Sequence, residues 1–480
     1  MSLRKPLLSL LIILTSGIVF STSSESTPRV VPAPHPLPYI STKMERPEFW
    51  IKKVKNPDRL LLGPEEIQRM NEESARKPDL FLCRVQNMKE HWTREEIRAL
   101  LKEDWDVFGS EGEVRYGKEG SPFKEPFWNE VKKNLNQEAL KERTRILFSL
   151  IVKRTDLRVF PTDEPGLTSP SGQEFDRFQH SSLTPGSLVG IYYFSRDNAW
   201  AYIQSGFIRG WVRAEALGIA HGKKDAVDYD EAKDRLVVTA NSINVYGDTA
   251  LQEILFSAQM GTSFPLLSLP APSGMPYPSY VIKVPFREKD GHLSFRKGYI
   301  PWNEDVYRGF LPYTRENICR QAFKMLHQPY NWGERSGGRD CSRFIMDLFA
   351  TFGILMPRNS KLQARIGLDR GQLEGKGLRE KQGMLDRAIP LATTLRLPGH
   401  IMLYLGKEKG RYYVIHSVWG FQSKGPSGPI LQRIGKAVVS DLSLGREGPS
   451  GSLLQRITDI RVIADSASVF PGGADFSRPR

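Results

Sequence analysis

Cysteine is scarce in this chain, with three among 480 residues: Cys83, Cys319 and Cys341. They lie far apart and form no C-x-x-C pair, which excludes zinc-ribbon, zinc-finger and dithiol redox arrangements. In an exported protein three is an odd count, so at least one thiol is free or pairs between chains. Spacing leaves a Cys83–Cys319 disulfide with Cys341 free as one open arrangement. Histidine is also sparse, with eight in total. No long basic run and no RNA-binding motif accompany the formal net charge of +14, so nothing specific supports a nucleic-acid partner. A basic surface of this kind suits polyanions generally, acidic cell-wall polymer and anionic lipid included.

Long apolar runs are missing after the first two dozen residues. Arg4 and Lys5 precede an apolar stretch from Leu7 to Phe20, followed by small residues from Ser21 to Ser24. This is a signal-peptide pattern, and the run is shorter than the roughly 20 residues a membrane span needs. No cysteine follows it to carry a lipid. An exported chain, periplasmic or extracellular, without stable membrane insertion after cleavage is expected.

At 480 residues the chain exceeds a single core and predicts about two to four domains. After the signal peptide (1–23), residues 24–145 read as a Pro-rich strap followed by helices. Gly63-Pro64 opens one helix, Thr93 and Glu96 form a capping box before a second, and PFWNEVKKNLNQEALKERTRI reads as a third. Short alternating runs broken by Gly and Asp-Asn then predict two small β-barrels, residues 146–222 and 223–311. Both carry a Gly-aromatic strand near the end, Gly210-Trp211-Val212 and Gly298-Tyr299-Ile300. Tyr192, Trp200 and Trp211 are candidates for lining a cleft, with barrel core as the bland alternative. Residues 312–470 mix helix and strand, and 471–480 read as a loose tail.

Cys341 stands in GGRDCSRFI, after two glycines and at the start of an amphipathic helix. Unpaired N–H groups at a helix start favour a thiolate and can hold an oxyanion. His400 and His416 fall on a predicted hairpin, His400 beginning one strand and His416 ending the next. That arrangement predicts a nucleophile, a base and an orienting residue. Two plainer alternatives stand beside it: Cys341 as a small buried hydrophobe, or Cys341, His400 and His416 as zinc ligands.

The stretch from Gln328 to Gln363 resembles the NlpC/P60 family of bacterial cell-wall cysteine peptidases. The matching pieces are Pro329-Tyr330-x-Trp332-Gly333, Asp340-Cys341-Ser342, Phe352-Gly353-Ile354, Met356-Pro357-Arg358-x-Ser360 and Gln363. GHIMLYLG resembles the strand of the catalytic His, and VIHS the third catalytic position. The resemblance implies an α+β, papain-like C-terminal cysteine peptidase domain, preceded by two bacterial SH3-like barrels and a mostly helical clip segment. It implies Cys341 as nucleophile, His400 as base and His416 as orienting residue. Tyr330 would lie near the scissile carbonyl, Asp340 would pair with a free L-Ala amine, and Ser342 would hold the peptide. Trp332 would pack in the core, and Arg358 would brace the helix.

The implied activity is cleavage of the γ-D-glutamyl–diamino-acid (diaminopimelate) bond in peptidoglycan stem peptides or muropeptides, with no cofactor or metal. An amidase, a cross-link endopeptidase and a non-catalytic wall-binding protein are the alternatives. The sequence departs from the family pattern in three places. Arg343 replaces the Gly after Cys-Ser, Glu334 replaces the second Gly after Trp, and ATTLRLPGH replaces the Gly-Asp strand before the catalytic His.

Overall fold

The computed structural model describes residues 29–110, 112–172, 174–267 and 276–464. The expected signal peptide and C-terminal tail lie outside these residues. Among the described residues no helix is long and apolar enough to cross a membrane.

The C-terminal part is a seven-stranded sheet with helices on both sides. Its order is Val30–Pro32, Gly428–Asp441, Arg411–Gly425, His400–Glu408, Thr393–Leu397, Asp459–Val462, Leu368–Gln372. Every pairing is antiparallel except the first, where the N-terminal strap lies parallel to Gly428–Asp441. Side chains alternate across the strands. Ile401, Leu403 and Leu405 meet Phe344, Ile345 and Phe349 of helix Cys341–Ala350. Met402 and Tyr404 face a second core with Leu385 and Ile460. Helix Cys341–Ala350 begins at Asp340, whose side chain accepts the Arg343 N–H, and Gly353 (φ +75°) follows its end.

The N-terminal region splits between two cores. Trp50, Leu61, Leu62 and Leu80 enter the same core as Phe344, while Ile97, Phe108, Trp128 and Leu140 pack with Tyr202 and Trp211. Helices Pro64–Ala75 and Arg94–Phe108 form where expected, the second with the Thr93/Glu96 capping box. The third helix is shorter than expected, Glu125–Asn134. Asn136 takes a left-handed conformation (φ 51°) two residues later and turns the chain into strand Arg143–Arg145.

The first β-unit is a single antiparallel sheet of seven strands, Leu217–Ile219, Leu147–Ile151, Leu188–Phe194, Trp200–Gln204, Arg209–Arg213, Thr155–Arg158, Gln179–Leu183. Its hydrogen-bonded order is open, not closed into a barrel. Ile191, Ile203 and Val212 fill one face, and Tyr192, Trp200, Tyr202 and Trp211 fill the other against helices Arg94–Phe108 and Glu125–Asn134. Tyr192, Trp200 and Trp211 are therefore core residues, because this sheet is covered on both sides. The second unit divides into a three-stranded and a four-stranded sheet that share one core of Leu236, Val238, Ile243, Phe264, Ile282 and Ile300.

Candidate active site

Cys341 is the first residue of its helix and is 8% exposed. Its Sγ lies 4.0 Å from the Gly399 carbonyl oxygen, and the Ile401 N–H is directed at it, so the peptides on both sides of His400 meet the thiol. His400 opens strand His400–Glu408. His400 Nε2 is 2.6 Å from His416 Nδ1, and His416 Nε2 is 2.9 Å from Ser440 Oγ. His416 does not end its strand as expected; it lies inside the longer strand Arg411–Gly425 and is fully buried. Its register partner is Val438, and Ser440 opposes Val414, so His416 and Ser440 are diagonal neighbours across the pair.

These bonds assign the tautomers once His400 Nδ1 acts as base. Nε2–H of His400 then donates to His416 Nδ1, and Nε2–H of His416 donates to Ser440. Both ring nitrogens of His416 are engaged in this chain, one by His400 and one by Ser440. Ser440 was missed in the sequence, since a strand serine 24 residues from His416 carries no local signal. All three cysteines are free thiols, so the Cys83–Cys319 bridge is not formed.

Electrostatics differ from the helix-start expectation. Burial pushes the Cys341 thiol up to about 12, and the adjacent Asp340 charge adds to this. The Ile401 N–H, the Arg358 charge and the Ser342 N–H pull the other way and lose. Burial pushes His400 down to about 3, helped by the Arg456 charge. His416 is also depressed, first by burial and then by His400. The resting thiol of Cys341 and the resting imidazole of His400 are thus both neutral. Tyr330 is half-buried, and its phenol is held protonated by burial, with the Asp340 charge contributing.

Asp340 and Ser342 do not face an open cleft. The Asp340 carboxylate is 6% exposed and takes five donors. They are Arg358 Nη2 (2.6 Å), Arg358 Nη1 (3.2 Å), Ser342 Oγ (2.9 Å), the Arg343 N–H (2.8 Å) and the Gly333 N–H (3.2 Å). Burial alone would raise its pKa, but Arg358 and these donors hold it below the ordinary value. Asp340 thus caps and braces the helix start, where these donors answer its lone pairs and Arg358 answers its charge. Ser342 Oγ also accepts from Arg358 Nη1 at 2.7 Å, which commits it in the same way.

Two of the three departures from the family pattern are partners. Arg343 Nη1 lies 2.6 Å from Glu334 Oε2. Glu334 is fully buried with a left-handed backbone (φ 62°), a conformation that favours glycine. It is held there by Ser181 Oγ and Ser182 Oγ, both at 2.7 Å, from the first β-unit. The cluster extends through Arg343 and Arg339 to Asp347, and through Arg358 to Asp340. Three guanidinium groups thus face three carboxylates in a set that ties the first β-unit to helix Cys341–Ala350. The sequence signal was present: two substituted glycine positions carry opposite charges.

Trp332 is not a core residue. It is half-buried on the irregular turn Trp332–Gly337, edge-on to Phe175 of the first β-unit at 5.4 Å.

Residues 327–417 match the NlpC/P60 family, and residues 165–213 match the SH3 domain of SH3b1 type. The second β-unit has no such match. No curated protein matches the chain. Among solved structures, the chain is similar to one described as a novel NlpC/P60 endopeptidase from Photobacterium damselae subsp. piscicida. The TM-score is 0.69 at 17% identity, over 86% of this chain and 96% of that one. An NlpC/P60 family protein from Bacillus cereus aligns with a TM-score of 0.47 at 15% identity, over 66% of this chain and 100% of that one. The segment that carries Cys341, His400 and His416 thus matches the NlpC/P60 family, behind a segment that matches an SH3b1-type domain.

Proposed function

We propose that the protein is an exported, wall-associated cysteine endopeptidase that cleaves the γ-D-glutamyl–diamino-acid bond of peptidoglycan stem peptides with a free N-terminal L-Ala. The observation that carries this reading is the hydrogen-bonded chain His400–His416–Ser440 on neighbouring strands, with the Cys341 thiol at a helix start against the backbone on both sides of His400, inside a segment that matches a cysteine peptidase family. Because the resting thiol is neutral, proton transfer accompanies attack. Cys341 Sγ bonds to the γ-carbonyl carbon while its proton passes to His400 Nδ1. The oxyanion is met by the Cys341 N–H at the helix start and by the neutral Tyr330 hydroxyl. Collapse breaks the C–N bond, and His400 returns the proton to the leaving amine. Water then attacks the thioester with His400 as base, and the γ-carboxylate leaves while Cys341 regains its proton. His416, backed by Ser440, keeps the His400 ring oriented throughout.

Mass spectrometry of products from L-Ala-γ-D-Glu-diaminopimelate tests the reading. L-Ala-D-Glu and free diaminopimelate are expected. Release of L-Ala from a muramyl peptide, or cleavage only at cross-links, would replace it with an amidase or cross-link endopeptidase. The free-amine requirement has no carboxylate assigned to it now that Asp340 is bound by Arg358. Acetylating the L-Ala amine tests it, and equal cleavage of both peptides removes it.

A further inference from the structure

Four side-chain N–H groups near the site are buried without an acceptor among the described residues: Arg177 Nε, Arg177 Nη1, Trp332 Nε1 and Trp419 Nε1. Buried donors are normally paired, so a cluster of orphans needs a cause. These four belong to one place. The Phe175 ring touches both indoles, at 5.4 Å from Trp332 and 5.3 Å from Trp419. The Arg177 guanidinium stacks over Trp332 at 4.7 Å. Arg177, Trp332 and Trp419 are each half-buried, so the cluster opens to solvent on one side.

The cluster offers donors and positive charge, and among the described residues no anion is hydrogen-bonded to these four groups. Burial is the first cause of the lowered Arg177 pKa and the nearby Arg115 charge is the second, with Glu113 opposing. Arg115 spends one guanidinium nitrogen on Glu113, at 2.8 Å, and its own Nε is another orphan. The place adjoins the chemistry. Trp332 follows Tyr330 by two residues, Trp419 follows His416 by three on the same strand, and Tyr330 lies within electrostatic reach of both Arg177 and Cys341. Phe175 and Arg177 fall within the SH3b1-type match.

We propose that Arg177, together with the indole N–H groups of Trp332 and Trp419, forms an anion subsite that the SH3-like domain contributes to the peptidase and that takes a carboxylate of the stem peptide. The choice of ligand rests on the function proposed above. A guanidinium with unanswered N–H groups, set beside two indole N–H groups, suits a carboxylate, and the aromatic walls exclude competing water. The γ-linkage leaves the D-Glu α-carboxylate free beside the scissile bond, and the diamino acid offers carboxylates on the other side.

Three peptides separate these sources: unmodified, amidated at the D-Glu α-carboxylate, and amidated at the diamino-acid carboxylates. Binding of each is measured by calorimetry on Cys341→Ala and on Cys341→Ala with Arg177→Gln, while hydrolysis is followed on the enzymes that keep Cys341. Arg177→Gln is expected to weaken binding of the unmodified peptide about 10- to 100-fold, the range for a hydrogen-bonded charge. One amidated peptide should show that loss already with Arg177 present and lose nothing more in the variant, which names the carboxylate. Arg177→Lys should keep part of the preference, which a purely structural role would not predict. Binding that does not depend on Arg177, or an equal loss for all three peptides, overturns the subsite whether or not cleavage occurs. Tight, Arg177-dependent binding without cleavage would instead overturn the proposed reaction and leave the subsite standing.

Discussion

A thiol at the first position of a helix should ionise easily, yet Cys341 is buried and sits next to the Asp340 carboxylate, and both effects favour the neutral form. With the thiol raised to about 12, the thiolate fraction at neutral pH is small. Alkylation of Cys341 by iodoacetamide, followed by peptide mapping to separate it from Cys83 and Cys319, should be slow at pH 7 and climb steadily through pH 9. A plateau already reached at pH 7 would contradict the neutral resting pair. His400 must be neutral to accept the proton, and burial keeps it so down to about pH 3. The acid limb of kcat/KM should therefore lie well below the ordinary histidine range near 6.5. The partners of His400 divide its orientation between them. His416→Gln should lower kcat less than His416→Ala, since the amide can still accept from His400. Ser440→Ala should lower kcat by roughly tenfold at unchanged KM, the mark of an orienting group. A KM change alone would assign Ser440 to packing.

The turn Trp332–Gly337 and helix Cys341–Ala350 are joined by the Glu334–Arg343 pair, and both are fixed to the first β-unit through Ser181 and Ser182. Removing one member of a buried pair strands the other charge, so Glu334→Gln and Arg343→Ala should each destabilise the protein by about 3–5 kcal/mol. The double replacement by glycine, Glu334→Gly with Arg343→Gly, should cost less than the sum, because it removes both charges and relieves the left-handed backbone at residue 334. Denaturant midpoints of the parent, Glu334→Gly, Arg343→Gly and the double glycine variant check this, and strict additivity would contradict it. Much of this level was legible in the sequence. Asp340 as cap, Gly353 after the helix and the His400–His416 hairpin follow from local rules. The partnership of Glu334 with Ser181 and Ser182 was not legible, because it joins residues over 150 positions apart through tertiary packing. The bracing of Asp340 was not legible for the same reason, since Arg358 reaches back from beyond the helix end.

Across the whole molecule, the N-terminal segment is part of the peptidase core. Trp50 is fully buried, donates its Nε1–H to the Met44 carbonyl at 2.8 Å, and packs 5.3 Å from the Tyr413 ring on the strand of His416. Trp50→Ala should cost about 3–5 kcal/mol. The loss should show in the denaturant midpoint of the intact chain, and a change below about 1 kcal/mol would mean that the segment is an independent arm. The SH3b1-type domain is joined to the catalytic helix by a neutral ion cluster, and it sets Phe175 against Trp332 and Trp419. Each part therefore converges on one thiol. The most direct measurement is the hydrolysis rate of L-Ala-γ-D-Glu-diaminopimelate by the intact chain and by Cys341→Ala, with matched circular dichroism to show that both are folded. A loss of about a thousandfold or more in the variant is predicted, as for removal of a covalent nucleophile. Turnover within tenfold of the parent in a folded Cys341→Ala protein would contradict the account.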